Sequence, residues 1–120
     1  MKKPFVTSIL LIMSAIAAAA PDISQKGKWK AEGNLPRDQV EFGILDRVVA
    51  ETATHFVVTS DAGTSCAAGN QWLFNKKTNK YKAVDSGTCD DRNFKVILDS
   101  KKLIFKNGNK ITAQYPVYDF

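Results

Sequence analysis

Phe94-Lys95-Val96-Ile97-Leu98-Asp99-Ser100-Lys101-Lys102-Leu103-Ile104-Phe105-Lys106-Asn107-Gly108-Asn109-Lys110-Ile111-Thr112-Ala113-Gln114-Tyr115 reads as two successive hairpins. Short apolar runs, Val96 to Leu98 and Leu103 to Phe105, flank Asp99-Ser100-Lys101-Lys102, and successive side chains of a strand point to opposite faces. A four-residue loop there sets Leu98 opposite Leu103 and Val96 opposite Phe105. Phe94, Val96, Leu98, Leu103 and Phe105 then share one face. Asn107-Gly108 is a strong hairpin signal. A two-residue turn at Asn107-Gly108 would set Phe105 opposite Lys110, whereas a three-residue loop from Asn107 to Asn109 sets it opposite Ile111. The second keeps the apolar face together and is the expected pairing. Pro116 cannot donate to a ladder, so the last strand is expected at an edge or to end there.

Further strands precede this stretch. Phe56-Val57-Val58-Thr59 is a short one, ended by Ser60-Asp61-Ala62-Gly63. Gln71-Trp72-Leu73-Phe74 and Lys80-Tyr81-Lys82-Ala83-Val84 flank a polar turn in which Asn79 is suited to a left-handed conformation. Residues 36–51 carry Val40, Ile44, Leu45, Val48 and Val49 near helical spacing behind Pro36, and one short helix is expected there, although Val40, Phe42 and Ile44 also alternate like a strand. Residues 20–34 are polar apart from Trp29 and read as an arm that docks this ring on the body. The expected fold is mainly β, with α+β as the alternative. It is a small antiparallel meander of five or six strands with one short N-terminal helix, and residues 35–120 form a single domain.

The first residues have another purpose. Lys2 and Lys3, an apolar run from Phe5 to Ile16, and Ala17-Ala18-Ala19-Ala20 before Pro21 have the order of a bacterial secretory signal peptide. Cleavage after Ala19 is expected, leaving small residues at the two positions the peptidase reads. The apolar run is short for a spanning helix, so membrane contact is expected only through residues 1–19 before cleavage. The expected location is the periplasm or the extracellular medium. Loss of the two leader lysines lowers the net charge from +5 to +3. Between residues 76 and 110 the lysines and arginine outnumber the aspartates, while residues 20–75 are slightly acidic. A basic half attracts acidic partners, and its lysines also protect strand edges from aggregation. Nucleic acid is not an expected partner in this compartment.

Cys66 and Cys89 are the two cysteines of the chain. In an oxidising envelope an even count points to one disulfide. It would tie the loop before the Trp72 strand to the loop before the Phe94 strand. Catalytic constellations are thin. Cys66 as nucleophile with His55 as base is a composition-level pairing that a disulfide abolishes. Asp85, Asp90 and Asp91 around Gly87 carry oxygen ligands suited to calcium, but Arg92 is an internal counter-charge, and a turn with self-bonding aspartates is the expected reading. The small-residue loop from Ser60 to Asn70 offers backbone N–H groups to an anion, yet it lacks the lysine and the strand-to-helix setting of a phosphate loop. No metal, no cofactor and no enzymatic activity are expected. Tyr118 and Phe120, near the end of Tyr115-Pro116-Val117-Tyr118-Asp119-Phe120, are expected to pack on the sheet.

The segment Cys89-Asp90-Asp91-Arg92-Asn93-Phe94-Lys95-Val96, with Leu103 to Gly108 after it, is similar to the Cys-led strand that opens periplasmic C-type lysozyme inhibitors. That family's Ser-Gly-x-x-Tyr loop is absent, so no inhibitory residue carries across and no membership follows. The function expected from the residues themselves is that of a small envelope protein that binds and blocks another protein with an acidic face, as an inhibitor or immunity protein. The expected contacts are Asp61, Asn70, Asp90, Asp91 and Arg92 in two loops, with Lys76, Lys77, Lys101 and Lys102. The alternative is a binder of an anionic envelope polymer or small ligand through a platform of Trp72, Tyr81 and nearby lysines. In Trp72-Leu73-Phe74 both faces of a strand are apolar, so at least one must point into a core.

Overall fold

The computed structural model describes residues 21–25, 27–32, 41–43 and 45–120. The expected signal peptide and its expected cleavage site, with residues 26, 33–40 and 44, lie outside the described residues. The described strands are β1 (Lys30–Ala31), β2 (Arg47–Glu51), β3 (His55–Ser60), β4 (Asn70–Asn75), β5 (Lys80–Val84), β6 (Phe94–Leu98), β7 (Lys102–Asn107) and β8 (Lys110–Pro116). They form a five-stranded sheet A, in the order β1-β5-β4-β3-β2, and a three-stranded sheet B, in the order β6-β7-β8. Every pairing is antiparallel except β1 with β5, which is parallel.

The protein is therefore mainly β and antiparallel, with two differences from the sequence reading. The strands divide into two sheets rather than one meander of five or six. And within the segment expected to be helical, Arg47–Glu51 is the strand β2. The physical reason lies in what β2 must cover. Val48 packs against the core on one side of sheet A and Ala50 against the core on the other side. A helix buries one stripe only. A bulge between Val48 and Ala50 adjusts the register against β3, and the stiff β-branched Val48 and Val49 favour the extended backbone.

Sheet A is the middle layer. Along β3 and β4 alternate residues enter different cores, and both cores are closed. Phe56, Val58 and Phe74 face Trp29, Ala31, Phe42 and Tyr81 from the N-terminal segment and β5. Trp29 stands edge-on to Phe56 and Phe74, each at 5.3 Å between ring centroids, and its indole N–H donates to the Asp22 carbonyl at 2.9 Å. The N-terminal arm thus docks through Trp29, as expected, and also adds β1 to the sheet. On the other face Val57 and Leu73 meet Leu103, Phe105 and Val117 of sheet B and the segment after it.

The hairpins follow the sequence closely at two turns and depart from it at the third. Asn75 pairs with Lys80, and Asn79 takes φ +59°. Leu98 pairs with Leu103 and Val96 with Phe105. At the last hairpin Asn107 pairs with Lys110, and Phe105 faces Ala113 rather than Ile111. The turn is the two residues Gly108-Asn109, one fewer than the expected three-residue loop from Asn107 to Asn109. Gly108 has φ +61°, the positive value that a type II′ hairpin needs at its first turn residue. A bulge next to Phe105 then returns the inward residues to the core and leaves Ile111 on the outside, 51% exposed.

Two connections lock the sheets together. The Cys66–Cys89 disulfide joins the β3–β4 loop to the β5–β6 connection across 23 residues of sequence, and the Ala68 N–H donates to the Cys89 carbonyl beside it. In that same β5–β6 connection, residues 85–87 lie against β8: the Thr112 hydroxyl donates to the Ser86 carbonyl at 2.6 Å and the Tyr115 hydroxyl to the Asp85 carbonyl.

Candidate binding surface

The expected contact residues separate into two ends of the molecule. The disulfide gathers Asp61, Asn70, Asp90, Asp91 and Arg92 at one end. Asn107 Nδ2 fastens this end to sheet B by donating to the Asp90 and Arg92 carbonyls at 2.8 and 3.1 Å. Lys76 and Lys77 sit on the β4–β5 turn, Lys101 at the β6–β7 turn and Lys102 at the start of β7. The segment after β8 bridges these two turns: the Val117 N–H donates to the Lys101 carbonyl, and Asn75 Nδ2 donates to the Phe120 carbonyl at 2.8 Å.

At the first end most side chains serve the fold. The Asp61 carboxylate accepts from the Gly63 N–H at 2.6 Å, and that of Asp85 from the Gly87 N–H at 2.8 Å. Asp90 takes both the guanidinium and the backbone N–H of Arg92, which hold its carboxyl down to about 2 and raise the arginine in turn. The Asp85 and Asp90 bonds are self-bonding aspartate turns of the kind expected from the sequence; the Asp61 turn was not foreseen. The small cavity beside them, about 310 Å³, runs from Asn70 and Trp72 to Ser86 and has no charged side chain in its wall. Trp72 forms one side of it, with its indole N–H donated to the Ser60 hydroxyl at 3.0 Å.

The second end is cationic, and its lysines are not equivalent. Lys76 is held by the Glu51 carboxylate at 2.6 Å and the Thr52 carbonyl at 2.8 Å, so it is a structural residue. Lys82 lies over the Phe120 ring at 4.6 Å. Lys101 and Lys102 donate only their backbone N–H groups to Asp99, whose carboxyl is lowered by those two bonds. Their ammonium groups have no ion pair among the described residues. Together with Gln114, Pro116 and Tyr118 they border an open groove of about 390 Å³. Tyr118 is 78% exposed, against the expectation that it packs on the sheet. A turn in which the Phe120 N–H donates to the Val117 carbonyl sets both of those residues inward, Val117 fully buried, and turns Tyr118 out. The exposed aromatic was therefore missed, because strand alternation does not continue through this turn.

One further expectation, a Tyr81 platform, is corrected, and another, the Cys66–Cys89 disulfide, is borne out. Tyr81 is 1% exposed and stacked on Phe74, so it belongs to the core and offers no platform. Cys66 is in the disulfide and cannot act as a nucleophile, and His55 sits in the buried first position of β3. The His55 ring accepts or donates one hydrogen bond, to Thr54 Oγ1 at 2.8 Å, while Nε2 is buried without a partner. Burial pushes this imidazole below its ordinary value. Comparison with protein-family models, with curated proteins and with solved structures finds no match.

Proposed function

We propose that this chain is a small exported protein of the bacterial envelope that binds and blocks another protein, as an inhibitor or an immunity protein. The observation that carries the reading is the groove at the second end: two ammonium groups, Lys101 and Lys102, without an ion pair among the described residues, beside a Tyr118 ring that projects into solvent. Exposed aromatics next to cations supply much of the energy of protein interfaces at small entropic expense. The rigid support behind the groove suits this use, because sheet B is packed on sheet A and the disulfide fixes the loops. The disulfide is compatible with an oxidising envelope compartment. The paired Cys66 and the buried His55 further support a binding protein over a hydrolase.

The test is capture of envelope proteins by residues 20–120, cross-linked in the producing cell and washed at low salt. One acidic protein is expected, released at high salt and lost with Lys101→Glu/Lys102→Glu. Retention that is indifferent to both salt and charge reversal, or no protein retained at all, refutes the reading. The runner-up, an anionic polymer held by Tyr118 with the same lysines, predicts retention on a polyanionic glycan instead, with no protein recovered.

A further inference from the structure

Sheet B has one face in the core and one face in solvent, and the outward face is unusual in what it lacks. Phe94, Val96, Leu98, Leu103, Phe105 and Tyr115 point inward. By alternation the outer face presents Lys95 and Ile97 from β6, Lys102, Ile104 and Lys106 from β7, and Ile111, Gln114 and Pro116 from β8. Ile97 stands opposite Ile104; Ile97 is 42% exposed and Ile111 51% exposed. Lys106 faces Lys95 on one side and Ile111 on the other. Between residues 94 and 116 the single acidic residue is Asp99, and its carboxylate is spent on the turn.

The Lys95–Lys106 pair is the informative one. Like charges directly opposite each other across two strands destabilise a sheet. Neither lysine has an ion pair or hydrogen bond among the described residues. A glutamate at either position would relieve the repulsion and still keep the face soluble. The chain instead holds two opposed cations around an isoleucine row, an arrangement that gains free energy only when an anionic surface covers it. We propose that the outer face of sheet B, continuous with the Lys101–Tyr118 groove, is a docking face for a protein surface that carries carboxylates around an apolar centre. Lys95, Lys102 and Lys106 take the carboxylates, and Ile97, Ile104 and Ile111 take the apolar centre. A protein fits better than a lipid bilayer because the isoleucines are shorter than the lysines beside them. They form no protruding wedge that could enter the acyl region. The assignment rests on the blocking reading above and names the chemistry of its partner.

The experiment combines stability with binding. Lys95→Glu converts the repelling pair into an attracting one, so its melting temperature is expected to rise by about 2–6 °C. The same variant is expected to bind more weakly. The probe is a synthetic peptide alternating Glu and Leu, followed by fluorescence anisotropy at low salt and by amide shifts of the labelled protein. The shifts should be confined to β6, β7 and β8. An all-Glu peptide should bind at least about fivefold more weakly, and Lys95→Glu should lose at least about tenfold for the Glu/Leu peptide, as expected for charge reversal at the centre of a contact. Lys30→Glu on β1 makes the same charge change at the far edge of sheet A and should lose less than about twofold. No peptide binding, shifts spread over all exposed lysines, or equal losses for Lys95→Glu and Lys30→Glu overturn the assignment. Binding to phosphatidylglycerol vesicles through the same residues, with no peptide binding, overturns it in favour of a membrane. If wild type and Lys95→Glu capture the same envelope protein equally, the face is wrong while the blocking reading stands. If no envelope protein is captured but the peptide binds as described, the blocking reading fails and the face stands.

Discussion

Gly87→Ala tests whether residues 85–87 strap sheet B onto sheet A. Gly87 has φ +79°, in the left-handed region. A side chain there costs about 1–2 kcal/mol from backbone sterics alone. A Cβ at this position would also collide with the carbonyl oxygen of Thr112, a backbone atom inside β8 that no rotamer change can move. Relief requires the strap to lift away from β8. That lift breaks the Thr112 hydroxyl bond to the Ser86 carbonyl and the Tyr115 hydroxyl bond to the Asp85 carbonyl. Each bond contributes a net of about 0.5–1.5 kcal/mol. The sum is about 3 kcal/mol, and for a domain of this size that lowers the melting temperature by about 15 °C. Gly108→Ala is the control. Gly108 has φ +61° and open space around the position of a Cβ, so only the backbone term applies, about 1–2 kcal/mol. Both variants and wild type are unfolded in urea in the oxidised state and followed by tryptophan fluorescence. The reasoning is refuted if Gly87→Ala loses no more stability than Gly108→Ala, because the collision with β8 would then contribute nothing.

Two other perturbations have defined outcomes. Reducing the protein, or making Cys66→Ser/Cys89→Ser, opens a loop closed over a separation of 23 residues and should cost about 3 kcal/mol in urea unfolding, with a loss below about 1 kcal/mol counting against the clamp. His55 titrates below its ordinary value when folded, because burial disfavours the charged ring. The unfolded chain therefore binds this proton first, and stability should fall as the pH drops through about 6.5 until the folded ring protonates too. His55→Gln should flatten that slope in unfolding measured between neutral and mildly acidic pH, and an unchanged slope would assign it to other groups.

How much of this was legible in the sequence depends on how local each decision is. The 75–80 and 98–103 turns are decided within a few residues: at the first the left-handed Asn79 matches, and at the second the register matches. The Asp99 and Asp85 turns are equally local, since a carboxylate bonds an N–H two or three residues on. The last hairpin failed by one residue because turn type and core face compete there, and a bulge satisfies both at once. Of the helix expected over residues 36–51, the part at Arg47–Glu51 is a strand instead, for a non-local reason. Val48 and Ala50 serve cores on opposite sides of a sheet, and nothing near them in sequence announces the second core. Trp72 was ambiguous for the same cause: β4 carries residues of both cores, so aromatic content alone does not distinguish a platform from a core.

The lysines show why a binding surface is harder to read than a fold. In sequence Lys76, Lys77, Lys101, Lys102, Lys95 and Lys106 are one basic half. In three dimensions they divide by whether the chain supplies their partner. Lys76 has Glu51, brought from β2 by the pairing of β2, β3 and β4, a contact 25 residues distant that composition cannot foresee. Lys95 and Lys106 have each other. A cation with an internal carboxylate contributes to the fold and is indifferent to what lies outside. A cation opposed to another cation subtracts from the fold, and its position is explained only by an external anion or by solubility. Solubility alone does not require two lysines in register: one lysine and one glutamate keep the same face charged and remove the repulsion. The opposed pair is thus the feature that separates a surface built to be covered from one built to stay in water, and the sign of the stability change on Lys95→Glu, set against the sign of the binding change, decides between them.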